Sequence, residues 1–229
     1  MASTTIRFAG HVAREYVGRA KRVVGLASNR RPMMRYREVN LIDRLLQHIQ
    51  PKRCLEWGCG RSTLFFPDRL DDDATWLSIE HNPAWHQKIL GQLQRHHTRL
   101  VLAEPNATRW DDTRGDGSYD DFRDYVESQS DAGPFDFILI DGRARRDCLE
   151  KAKSLVSDHG VVVLHDANRK YLTDGLQGYE HQLLFTDYRT DSGGVWLGSN
   201  RSDLERLVDA EAENALWKMV ATVGAILLV

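Results

Sequence analysis

Apolar residues recur along this 229-residue chain with two different spacings. Short, mostly apolar runs at 53–57, 75–79, 98–103, 135–140 and 161–164 have the length and composition of buried strands. Between them, apolar residues return every three or four positions. Leu41, Ile42, Leu45, Leu46 and Ile49 do so over 39–49, and Cys148, Leu149, Ala152 and Leu155 over 145–157. That is the spacing of helices that bury one side. Asn82-Pro83 offers an N-cap and a first-turn proline for a helix reaching residue 95. A short helix is expected over 62–66, stopped by Pro67, and another over 119–128. Gly160 is expected to end the 145–157 helix. The runs at 182–188 and 194–198 pair as an antiparallel hairpin through Thr190-Asp191-Ser192-Gly193. A last helix over 202–229 starts polar and ends apolar. Strands that alternate with helices predict a mainly parallel sheet covered on both faces.

The polar residues that interrupt this pattern cluster at strand ends. Glu56 is followed by Gly58 and Gly60, the second run ends at Glu80, the fourth at Asp141, and the fifth at His165-Asp166. Open parallel sheets bind ligands at the carboxyl ends of their strands, so four carboxylates would share one rim. Glycines there permit positive φ and close approach of a ligand, and the turn that follows presents free N–H groups. Glu80 lies 22 positions after Gly58, the spacing at which a carboxylate accepts from both hydroxyls of a ribose. A nicotinamide-binding loop would place Gly or Ala where Thr63 stands. For proton removal at the rim, His165 has the most suitable intrinsic pKa, with Asp141 and Asp166 as the other candidates.

These residues resemble the class I S-adenosylmethionine-dependent methyltransferases. The Glu56-x-Gly58-x-Gly60-x-Ser62 run is similar to that family's first motif, with serine in place of the third glycine; Glu80 matches the ribose-binding acid, and Asp141 the acid closing the fourth strand. The resemblance covers 41–199. It implies an α/β fold, a doubly wound Rossmann-like seven-stranded sheet with a terminal antiparallel hairpin and extra N- and C-terminal helices. With the charge and apolar spacing of the two ends, the chain is expected to divide into a basic helical extension (1–37), a methyltransferase domain (38–200) and a C-terminal helix (201–229). It also implies S-adenosylmethionine bound by Glu56, Gly58, Gly60, Ser62, Glu80 and Asp141, with Asp141, His165 and Asp166 facing the acceptor. Asp141, Asp166 and Asn168 resemble the divalent-metal ligands of catechol and caffeoyl-coenzyme A O-methyltransferases. Ala167 separates the last two, however, and Ala144 stands where those enzymes carry a lysine. The resemblance implies methyl transfer to an oxygen of a small-molecule or sugar-like acceptor. Two alternatives share the fold: a catalytically silent S-adenosylmethionine-binding module, and an aminopropyltransferase-like enzyme, against which the arginine-rich rim argues.

Composition narrows the partners. A net charge of -2 exerts no overall pull on nucleic acid or membrane, and no Asp-Pro-Pro-Tyr-like motif is present for methylating a base nitrogen. Arg143, Arg145, Arg146, Arg169 and Lys170 crowd the rim, which suits an acidic small-molecule substrate. Residues 1–37 carry nine Arg and Lys against Glu15 alone. That extension reads as a lid, as a surface for an anionic partner such as a membrane, or as the solvated side of a docked helix. The apolar C-terminal end suits packing or a homo-oligomer. Cys54, Cys59 and Cys148 have no disulfide or metal spacing, and no secretory signal or membrane-spanning run is visible. A cytoplasmic protein is expected.

Overall fold

The computed structural model describes residue 10 and residues 31–227, except 96, 109, 112–114, 130, 131 and 175, with side chains up to 222. The chain order is α1 (Tyr36–Ile49), β1 (Arg53–Trp57), β2 (Thr75–Glu80), α2 (Pro83–Leu90), β3 (Thr98–Leu102), α3 (Arg123–Glu127), β4 (Phe135–Ile140), α4 (Arg145–Ala152), β5 (Val156–His165), β6 (His181–Phe185), β7 (Val195–Ser199), α5 (Leu204–Val208) and α6 (Ala210–Leu227). The seven strands form one sheet in the order β3-β2-β1-β4-β5-β7-β6. The first five run parallel, and β7 is antiparallel to both of its neighbours. The expected doubly wound sheet with its terminal hairpin is present.

Alternation along the strands sends side chains to opposite faces. Phe137, Leu139, Val161 and Val163 join one core with Leu41, Leu45 and Trp217. Ile138, Ile140, Val162 and Leu164 join the other with Tyr125, Cys148 and Leu149. All of these strand residues are fully buried, as a sheet covered on both faces requires. Reversal of strand order between β1 and β4 leaves the crevice in which such sheets bind ligands.

Several expected boundaries move, each for a local reason. Residues 62–66 make a hydrogen-bonded turn, with the N–H groups of Phe65 and Phe66 both bonded to Ser62 O, and a single 3-10 turn follows at Pro67–Arg69. Helix α2 stops at Leu90, before Gly91, rather than at 95. Helix α4 stops at Ala152, and Gly160 lies inside β5 instead of ending a helix. A Cβ at 160 would sit 2.7 Å from Phe135 O, so glycine lets β5 pass close to β4 at the register shift between Phe135 and Phe137. The C-terminal segment is two helices, broken at Asp209 in the left-handed conformation.

Most of the basic extension lies outside the described residues. Its final part, 31–37, packs on the domain. Met34 is buried in the core, Arg37 pairs with Asp187 and lies over the Trp217 ring, and α1 already begins at Tyr36. Among the described residues, no helix is long and apolar enough to cross a membrane.

Candidate active site

A cavity of about 320 Å³ opens at the carboxyl ends of β1, β2 and β4. Gly58, Cys59, Glu80, His81, Asn82, Trp85, Asp141, Gly142, Arg143 and Arg145 line it. Its floor is backbone. Gly58 has φ +95°, and a Cβ there would sit 2.5 Å from Gly142 Cα, so the loops after β1 and β4 cross too closely for any side chain. Gly60 has no such crowding: a Cβ would meet only Ser62 Oγ, at 3.8 Å.

Glu56 does not line the cavity. Its carboxylate points into the core and accepts hydrogen bonds from Ser62 Oγ at 2.5 Å, Thr63 Oγ1 at 2.7 Å, Trp76 Nε1 at 2.9 Å and the Ser78 hydroxyl. Burial raises its pKa, and the four donors pull the other way. Thr63 Oγ1 also accepts from the Gly60 N–H at 2.9 Å. Glu56, Ser62 and Thr63 therefore fix the shape of the glycine loop from beneath. Trp85 ties the same loop from above, donating to Cys59 O at 2.8 Å. Glu80 does face the cavity; its Oε1 accepts from the Asn82 N–H at 2.8 Å and lies 3.0 Å from His81 Nδ1. Asn82 in turn caps α2 through the Trp85 N–H.

The ends of β4 and β5 carry a different construction. His165 is buried between two carboxylates, its Nδ1 2.9 Å from Asp141 Oδ1 and its Nε2 3.2 Å from Glu38 Oε2. Burial works to lower the imidazole pKa, but Asp141 and Glu38 outweigh it and raise the value to about 10. His165 is thus an imidazolium at neutral pH with both N–H groups engaged, and it has no lone pair with which to take a proton. Glu38 also accepts from Arg189 Nη2 at 2.5 Å, Arg35 N–H at 2.6 Å and Gly194 N–H at 3.2 Å. Burial works to raise the Glu38 pKa, but His165, then Arg189 and the Arg35 N–H, hold it well below the usual carboxylate range instead.

Arg145 begins α4 and joins the cluster from the cavity side. Its Nη1 lies 2.9 Å from Asp166 Oδ2, its Nη2 3.5 Å from Asp141 Oδ1, and its Nε 3.5 Å from Asp116 Oδ1. The same group donates to the carbonyls of Gly142 at 2.9 Å and His165 at 3.1 Å. Asp166 adopts φ +61° and accepts from the Gly193 N–H at 2.5 Å, so both of its oxygens are engaged. Burial works to raise the Asp166 pKa, but His165 and Arg145 lower it. Asp166 and His165 do not line the cavity, whereas Asp141 does.

The donor set can be tested for a divalent ion. Ligand atoms of Asp141, His165 and Asp166 all lie within 4.8 Å of one another. Both ring nitrogens of the histidine are engaged by Asp141 and Glu38, however, and the Arg145 guanidinium lies between the two aspartates. Asn168, the third expected ligand, turns away: its Nδ2 donates to Asp187 Oδ1 at 2.8 Å and Ser192 O at 2.9 Å, and its Oδ1 accepts from the Asp187 N–H at 3.3 Å. These residues do not fit a metal ion.

Residues 55–167 match the family model described as a methyltransferase domain. The chain carries a methyltransferase domain. Comparison with curated protein sequences gives no match. Among solved structures, a methyltransferase-like protein from Silicibacter pomeroyi is 16% identical, with a TM-score of 0.53 over 80% of this chain and 97% of that one. The O-methyltransferase TomG from Streptomyces achromogenes, solved in complex with SAM, is 17% identical, with a TM-score of 0.51 over 79% and 85% of the two chains. Likeness at these identities concerns the fold. The cavity lies at the topological switch point of the sheet described above.

Of the residues singled out in the sequence, the structure gathers Gly58, Glu80 and Asp141 around the cavity and places Glu56 and Ser62 beneath it. Sequence reasoning missed Glu38, Asp116, Asp187 and Arg189. Glu38 left a trace: three and four positions before Leu41 and Ile42, it falls on the apolar stripe of its own helix.

Proposed function

We propose that the protein transfers the methyl group of S-adenosylmethionine to an oxygen of a small molecule, and that this oxygen is already negatively charged at neutral pH. Glu80 would accept from the ribose hydroxyls, and Gly58 and Gly60 would admit the rest of the cofactor along the loop held by Glu56, Ser62 and Thr63. In the reaction the S–CH3 bond breaks and an O–CH3 bond forms. The sulfonium becomes a neutral thioether and the oxyanion a neutral ether or ester. Alignment of donor and acceptor can supply about 7–11 kcal/mol of the acceleration.

The observation that carries the charge of the acceptor is the state of the candidate bases. His165 is protonated with both nitrogens bonded, Asp166 is satisfied by Arg145 and Gly193, and Asp141 lies between His165 and Arg145. A carboxylate or an acidic phenol needs no base, and the guanidinium of Arg145 at the cavity wall favours its charge. In this reading Asp141, His165 and Asp166 act as charge partners that fix the wall.

Incubation with labelled S-adenosylmethionine and a metabolite extract, followed by identification of the labelled product, tests the reading. A methyl ester or an aryl methyl ether is expected. A methylated amine would sink the acceptor assignment, and cofactor binding without turnover on any extract would favour a silent binding module.

A further inference from the structure

The carboxyl ends of β4 and β5 and the connection between β3 and α3 bring three carboxylates around one side chain. Asp116, Asp141 and Asp166 each place an oxygen within 3.5 Å of an Arg145 nitrogen, and the arginine is only 7% exposed. The guanidinium cannot swing aside without breaking its bonds to the Gly142 and His165 carbonyls. Its backbone is held as well: the Arg145 N–H donates to Asp116 Oδ2 at 3.0 Å, and the Ala144 N–H to Asp116 O at 2.7 Å. Ala144 itself is in the left-handed conformation, φ +44°, which aims the next residue back over the strand ends.

We propose that Arg145 is a built-in substitute for a divalent cation, occupying the place between Asp141 and Asp166 so that the site neither needs nor admits a metal ion. A cation between strand-end carboxylates draws them together and presents positive charge to the cavity. A guanidinium does both while remaining covalently attached, and it stays charged at every accessible pH. Asp141 and Asp166 converge without a third oxygen ligand for the same reason. Asn168, turned away from the pair, bonds Asp187 instead. The catalytic consequence, a fixed positive charge beside the acceptor oxygen, rests on the methyl-transfer reading above. The exclusion of metal does not.

Titration with Mn²⁺ alone, followed by electron paramagnetic resonance, tests the exclusion directly. The wild-type protein, saturated with S-adenosylhomocysteine, should show no bound Mn²⁺ that Asp141→Asn or Asp166→Asn removes. Arg145→Ala uncovers three carboxylates and should bind Mn²⁺ about tenfold more tightly or better. Adding Asp141→Asn to that variant should reverse the gain. Arg145→Gln, which keeps the length of the side chain, serves if the alanine variant does not fold. Mn²⁺ bound by the wild type and lost in Asp141→Asn would overturn the proposal. So would the absence of any gain in a folded Arg145 variant, since the carboxylates would then not form a cation site. Calorimetry with S-adenosylhomocysteine on the same samples reads the cofactor assignment separately, so that one can fail without the other.

Discussion

Glu56 and Glu38 are both 0% exposed carboxylates beside the same row of strand ends, and they are stabilised in opposite ways. Glu56 is held by neutral donors, three hydroxyls and an indole N–H, none more than 22 residues away in sequence. Its pKa is raised by burial. Glu38 is held chiefly by two cations, His165 and Arg189, which lie 127 and 151 residues away, and its pKa is lowered. The first arrangement shapes a loop; the second ties the first helix to the last hairpin with charge. Neutral donors leave a buried acid free to share or hold its proton, whereas buried cations require it ionised.

Substitution by the isosteric amide gives the largest expected difference between the two. Glu38→Gln takes away one of the two carboxylates that His165 and Arg189 each hold, leaving Asp141 and Asp187 as their remaining partners, and breaking these buried pairs should cost about 3–5 kcal/mol. Glu56→Gln retains one acceptor but turns an NH2 toward donors, and should cost about 1–3 kcal/mol. Urea denaturation of both variants checks this, and equal losses would break the comparison.

Glu80 belongs to the glycine-loop half but faces the cavity, so its effect should fall on affinity. Glu80→Ala should weaken S-adenosylhomocysteine binding by about 1.5–3 kcal/mol, the range for hydrogen bonds to a charged group. Calorimetry that returned wild-type affinity would remove Glu80 from the site.

The charged half should also be the pH-sensitive half. The pKa of His165 rises from 6.5 to about 10 on folding. Its contribution is therefore complete below pH 6.5 and declines as pH climbs toward 10, with a slope of about 1.4 kcal/mol per pH unit for one proton. Glu38 works in the opposite sense: its contribution is present above 4.5 and is lost as pH falls further. Stability measured across alkaline pH in His165→Gln should lose the His165 slope; an unchanged slope would place the titration elsewhere.

The smallest expected effect lies in a purely local device. Asn82→Ala removes the cap of α2 and should cost about 1 kcal/mol, read from the denaturation midpoint.

The same division explains what could be read from sequence. Gly58, Gly60 and Glu80 act through fixed local spacing after a strand, and that spacing survives in one dimension. The centre of the sheet was legible because β4, β7 and residues 161–164 of β5 are buried on both faces and so are apolar nearly throughout. Residues 62–66 misled because a proline soon after a polar N-cap allows either a short helix or a tight turn, and only the Ser62 carbonyl decides which. Gly160 misled because a helix stop and a close strand crossing ask for the same residue. The roles of His165 and Arg145 were hidden because they depend on Glu38 and Asp116, whose positions become neighbours only in the folded sheet. A carboxylate on the apolar stripe of its own helix was the one signal available for the first of these.

The separation of Glu38 from its partners also bears on how the protein comes together. The β1–β2–β3 ladder and the glycine loop join residues near one another in the chain and can order early. Glu38 meets His165, Arg189 and Gly194 only across spans of 127 to 156 residues. Closing a loop of that length is entropically slow, because the cost of bringing the ends together must be met before any bond rewards it. During synthesis the first helix must wait for the last hairpin to emerge. The charged wall of the cavity is consequently among the last parts to form, and a chain stalled or cut before Gly194 would hold the glycine loop without the wall that faces it.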